Sequence, residues 1–169
     1  MGVDKRQLEA FQKRLRKMNA SRRQQFMQQA VKDSAGAILG IVIPNTPVGD
    51  TREYHMGGAL RRAWTCRTEQ EAESGGEAQS ADAFAETLEV ERSGDSYSVD
   101  LVNPMHYASY VEYGHRQKPG RYVPAIGKRL VKGWVEGQFF LKESVTTFSE
   151  VWPAFLHARL DKFLKKDFR

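Results

Sequence analysis

The cluster of side chains with a hint of chemistry sits in one run of fourteen residues, Asn103-Pro-Met-His-Tyr-Ala-Ser-Tyr-Val-Glu-Tyr-Gly-His-Arg116. His106, Glu112 and His115 supply imidazole and carboxylate groups for proton transfer or metal ligation, and the single cysteine, Cys66, supplies a thiol. Glu112 and His115 stand three apart, a spacing that brings a carboxylate and an imidazole to one face of a helix. Gly114 lies between them, where a helix should already have ended, and no second pair of this kind occurs. A thiol nucleophile would need a histidine base and a third orienting group, which the sequence does not announce. Gly57-Gly58 and Gly75-Gly76 do not stand between an apolar strand and a helix, as phosphate-binding loops do. These residues argue for no enzyme, no metal and no cofactor.

The same run suits an anchor. Asn103 fits a helix cap, Pro104 the first helical position and Gly114 the residue past the end. Tyr107, Tyr110, Val111 and Gly114 recur at helical spacing on one face. Rings this large, each with a hydroxyl, suit a surface that buries against something while keeping its polar tips paired. That something is either the rest of the fold or a second subunit.

The elements that must position this helix are legible from periodicity. Residues 1–40 read as an N-terminal helical arm, with Leu8, Phe11, Leu15 and Met18 on one face and Asn19-Ala-Ser21 as a kink or cap. Pro44 and Pro47 predict an extended exit after Ile41-Val-Ile43. Residues 66–86 read as a mobile acidic loop. Residues 84–103 read as a hairpin, alternating on either side of Ser93-Gly-Asp95. Gly114 to Gly120 is a basic Pro/Gly loop, and Tyr122 to Trp134 has little clear period. A broad apolar stripe from Phe148 to Leu164, interrupted by Pro153, closes the chain as a helix. The expected class is α+β: a small antiparallel sheet with a short helix, packed by long N- and C-terminal helices in a single domain over 1–169.

At 169 residues the chain can bury a core without staples. One cysteine excludes an internal disulfide, and a reducing, intracellular setting is the simple expectation. No apolar run approaches a bilayer span, so no membrane is expected. The net charge of +5 conceals a segregation. Residues 1–32 carry nine Lys/Arg against two acids, residues 66–100 two bases against ten acids, and residues 114–132 six bases and no acid. Such blocks are solvated faces, or complementary patches by which one copy meets the next. A third reading is nucleic acid on the N-terminal helix, through Arg14, Arg16, Lys17, Arg22 and Arg23. Those bases are spread around the helix without aromatics between them, which favours a solvated face.

Three strings match a known pattern: Thr46-Pro47-Val48; Gly58-Ala-Leu60-Arg61-Arg-Ala-Trp64; and Val102-Asn103 with Tyr107-Ala-Ser-Tyr-Val-Glu-Tyr-Gly-His115. They resemble a family of bacteriophage neck or tail-completion proteins, found in tailed phages and in phage-tail-like particles of Gram-positive prophages. The resemblance runs from about residue 40 to 165. The chain departs from the pattern at Gly49 to Met56, where the family has a shorter link, and at Glu136 and Gln138, where Pro and Arg are expected.

The resemblance implies a structural virion protein that works as a closed ring, with no catalytic residues and no cofactor, at the head–tail junction (neck or collar) or the tail-tube end (tail terminator). A hexamer or dodecamer is expected, assembled in the host cytoplasm. Its neighbours would be tail-tube, sheath or head-connector proteins, with DNA at most passing through the lumen. Residues at or beside the junction between copies are then expected to be Tyr107, Tyr110, Glu112, Tyr113, Gly114, His115, Arg116, Lys118 and Arg121. Tyr107 and Tyr110 fit the core as well as they fit a contact.

Overall fold

A computed structural model describes residues 5–49, 57–75, 79–124 and 127–165. Helix α1 (Lys5–Arg16) turns Phe11 and Leu15 inward. Asn19 then caps α2 (Ala20–Asn45), its side chain accepting from the Arg22 N–H at 2.9 Å. Helix α2 runs past the expected end at residue 40, through Ile43 and Pro44. Pro44 is tolerated because it falls in the last turn, where its missing N–H costs a single bond. Thr46 closes that turn: its N–H reaches Val42 O at 2.9 Å and its hydroxyl donates to the same oxygen at 2.6 Å. Pro47 holds Thr46 in extended backbone (ψ 126°), so the helix stops there.

The C-terminal helix, here α7 (Phe140–Lys165), lies antiparallel to α2. Asn45 Nδ2 donates to Ser144 Oγ at 3.1 Å near one end of the pair. Arg159 pairs with Asp33 at 3.2 Å near the other. Pro153 is buried inside α7, and the helix continues across it. Two apolar clusters line this helix pair. One gathers Leu39, Val42, Trp64, Phe84, Met105 and Phe140; the other gathers Phe11, Leu15, Phe26, Ala30, Leu156 and Leu160. Fully buried side chains such as Leu39 and Leu160 each contribute about 1.5–3 kcal/mol.

Between the long helices the chain makes short pieces. Helix α3 (Ala59–Arg62) continues into a single 3₁₀ turn, Ala63–Thr65. Within 66–86, read as a loop, the described residues hold two helices, α4 (Glu69–Glu73) and α5 (Ala81–Glu86). Thr68 and Glu71 form a reciprocal capping box on α4, and Ser80 caps α5. Ala72, Phe84 and Ala85 are buried. Helix α5 presses on α2 at Gly36, where a Cβ would stand 2.6 Å from Asp82 Oδ1. Residues 76–78 of this segment lie outside the described residues.

The hairpin is real but shorter than 84–103, because α5 takes residues up to Glu86. Strands β1 (Glu91–Ser93) and β2 (Ser96–Ser98) turn on two residues rather than three, with Gly94 at φ 61° in the first loop position. Helix α6 spans only Ala108–Tyr113, starting after Tyr107 rather than at Pro104. Strand β3 (Gly114–Arg116) pairs antiparallel with β6 (Trp134–Glu136), and β4 (Tyr122–Val123) with β5 (Lys128–Arg129). The class is α+β, with the described strands in three separate two-stranded pairs instead of one small sheet.

Candidate interaction surface

The residues shared with the phage pattern fasten the elements to one another. The Trp64 indole donates to Thr46 Oγ1 at 2.8 Å, both residues being buried. Arg61 donates to Thr46 O through Nε (3.0 Å) and Nη2 (2.7 Å), and to Pro44 O at 3.0 Å, so it satisfies carbonyls at the end of α2. Asn103 does not cap α6. Its Oδ1 accepts from Met105 N at 3.2 Å while its amide donates to Leu60 O at 2.9 Å, tying the approach to α6 onto α3.

Glu112 is buried, 3% exposed, and points away from the surface. Its two carboxylate oxygens accept from Leu141 N (2.9 Å) and Lys142 N (3.0 Å), the second and third amides of α7. A carboxylate from α6 thus caps a helix that begins 28 positions later in the chain, where N–H groups and the helix dipole both favour negative charge. Glu112, expected at or beside the junction between copies, spends its carboxylate within the chain on α7.

The other eight candidates divide. Tyr107 is half-buried, packed against the core that holds Met105 and Phe140. Burial pushes its hydroxyl pKa up, with Glu73 and Glu69 adding and Arg62 opposing. Tyr110 and Tyr113 are exposed, 56% and 60%. Gly114 and His115 are half-buried, with the His115 ring 5.6 Å from that of Tyr110. Arg116, Lys118 and Arg121 are exposed. Gly114 has φ 83°, and a Cβ there would lie 2.4 Å from Val135 O, so only glycine lets β3 leave α6 against β6.

The basic loop from Gly114 to Gly120 and the stretch from Tyr122 to Trp134, which had little clear period, fold back on each other as an antiparallel arm. Beyond β3–β6, Gln117 N donates to Gly133 O (2.9 Å), Gly120 N to Leu130 O (2.8 Å) and Leu130 N to Arg121 O (2.9 Å), and β4–β5 completes the ladder. Residues 125–126 lie outside the described residues. The arm's side chains Arg116, Lys118, Arg121, Lys128 and Lys132 are exposed, and none has a hydrogen-bond or ion-pair partner among the described residues. Trp134, Tyr122 and Val131 are exposed among them, at 44%, 53% and 86%. At the root, Phe139 stands at φ 49° in the left-handed region, its ring 6.5 Å from that of Tyr113 and itself exposed. A bulky residue held there costs about 1–3 kcal/mol. Sequence reasoning counted the arm's charges but missed Lys128, Lys132, Trp134 and Phe139 as surface groups. The signal that could have found the arm is the turn composition of Pro124 to Gly127 between two basic flanks.

A second group of charged side chains, mostly acidic, lies on α4, α5 and the β1–β2 hairpin. Helices α4 and α5 wall one cleft of about 410 Å³, lined by Cys66, Glu71, Ser74, Phe84 and Thr87. Asp82, Glu89, Glu91, Asp95 and Asp100 are exposed and without hydrogen-bond or ion-pair partners among the described residues. Cys66 on this cleft is half-buried and donates weakly to Arg62 O at 3.4 Å. Burial raises its thiol pKa, Glu71 raises it further and Arg62 opposes, so the thiolate is disfavoured.

The three groups that opened the chemical question diverge. His106 pairs with Glu69, Glu112 faces α7, and His115 sits at the root of the arm. Among the described residues no three His, Cys, Asp or Glu side chains gather as metal ligands do. The N-terminal bases are partly committed as well: Arg14 binds Asp161, and Arg22 lies 5.8 Å over the Phe163 ring.

A model of the HK97-gp10-like family, described as a bacteriophage tail component, matches residues 9–114. The chain belongs to that family. No curated protein and no solved structure matches it. The matched span starts well before residue 40 and ends at Gly114, against the expected 40 to 165; it runs from within α1 through α6, and α7 and nearly all of the arm fall beyond it. This HK97-gp10-like chain is therefore a structural bacteriophage tail component. No helix among its described residues is long and apolar enough to cross a membrane.

Proposed function

We propose that this tail component closes into a ring, a hexamer or dodecamer, at the head–tail junction or at the end of the tail tube. As a neck, collar, terminator or completion protein it would join tail-tube, sheath or head-connector neighbours in the virion after assembly in the host cytoplasm. It would convert no substrate and need no cofactor or metal. One observation carries the reading: the motif residues of a tail-component family fasten the fold internally, while two surfaces of opposite charge remain unpaired outside. A ring is built from heterologous contacts, in which one patch of each copy meets a different patch of the next. Reconstruction of intact particles should find this chain as a closed ring at one end of the tail tube. Its absence from purified particles, or its presence there as a single copy, would overturn the proposal.

The alternative is a basic nucleic-acid-binding protein that uses the N-terminal helix. Lys13 and Arg16 on α1 and Lys17 just after it are exposed and support it, while the engagement of Arg14 and Arg22 with α7 weakens it. Salt-dependent retention of labelled duplex DNA, lost on neutralising those three bases, would favour it over the ring.

A further inference from the structure

We infer that the basic arm of one copy seats on the acidic face of the next copy, the face formed by α5 and the β1–β2 hairpin. The inference rests on the ring reading above and names the contact that closes it. Five arm cations and five face carboxylates lack partners within the chain among the described residues. Unpaired charges of opposite sign on separate elements of one molecule can serve as complementary patches between two copies. A two-stranded ribbon on its own is marginal in water, so an arm of this length gains from a surface to lie on. The exposed Trp134, Tyr122 and Val131 on the arm, with Tyr113 and Phe139 at its root, add apolar area that becomes favourable when water is excluded. Phosphates would match the arm's charge but leave Val131 and the aromatic root uncovered, so a protein surface fits better than duplex DNA.

The test uses two charge-reversed full-length chains. The first carries Arg116→Glu, Lys118→Glu and Arg121→Glu; the second carries Glu89→Lys, Glu91→Lys and Asp95→Lys. All six positions are exposed, and circular dichroism with thermal melts confirms that both chains fold. In sedimentation velocity each reversed chain alone should self-associate about 100-fold more weakly than the natural chain. Mixed one to one, they should recover an assembled species, because each arm then meets a face of opposite sign. A natural ring that tolerates the arm reversal, or two reversed chains that fail to assemble together, overturns the arm contact and leaves the ring standing. An arm reversal that abolishes duplex DNA binding while sparing self-association also overturns it. A natural chain that is monomeric both in solution and in isolated particles overturns the ring itself.

Discussion

The carboxylate of Glu112 shows how a residue type can be legible while its task is not. The sequence marks it as a notable acid among tyrosines, but its partners are amides of Leu141 and Lys142, 29 and 30 positions away. No local pattern announces a cap supplied from a distant helix. Replacing Glu112 with Ala leaves those two amides unpaired in a buried place, and should cost about 3 kcal/mol, read as a drop in the midpoint of thermal or urea unfolding. Thr46→Val keeps the shape but strands the Trp64 N–H, at a cost of about 2 kcal/mol in the same measurement. Asp161 offers a pH handle. Its hydrogen bond to Arg14 is the main cause of a pKa below the usual carboxylate value, with Arg14, Lys165 and His157 charges helping and desolvation opposing. A depressed folded pKa means stabilisation present above about pH 4 and lost as pH falls below it. The difference in melting temperature between the natural chain and Asp161→Asn should therefore shrink on acidification below that point. A difference that grew would refute the assignment.

Among the elements, the long helices were readable because their apolar positions recur over many turns, as Leu8, Phe11 and Leu15 do on α1. The α4 and α5 helices were missed because five and six residues give too few turns for a period, although Thr68 with Glu71, and Ser80, stood there as caps. The arm was missed for a different reason. Its strands are two or three residues long and mostly exposed on both faces, so nothing imposes alternation on their sequence. Its seat, by contrast, is exacting. Gly114→Ala places a Cβ against Val135 O in a left-handed backbone and should destabilise the chain by about 3 kcal/mol. Hydrogen exchange should then show the amides of β3 and β6 losing protection ahead of those of α2.

For the molecule as a whole, the two apolar clusters share α2 and α7 as a common frame. Leu39→Ala in one and Leu160→Ala in the other should each cost about 3 kcal/mol and shift a single unfolding transition. Two separate transitions in calorimetry would divide the chain at the middle of its long helices. Charge segregation, visible along the sequence, survives as two sets of exposed side chains of opposite sign, but only the fold reveals that one set is carried on an arm. That arm springs from Gly114, two residues after the carboxylate that grips the front of α7. The geometry is that of a lever with its fulcrum beside the clasp. Whatever takes hold of the arm pulls, through Gly114 and Glu112, on the opening turn of α7.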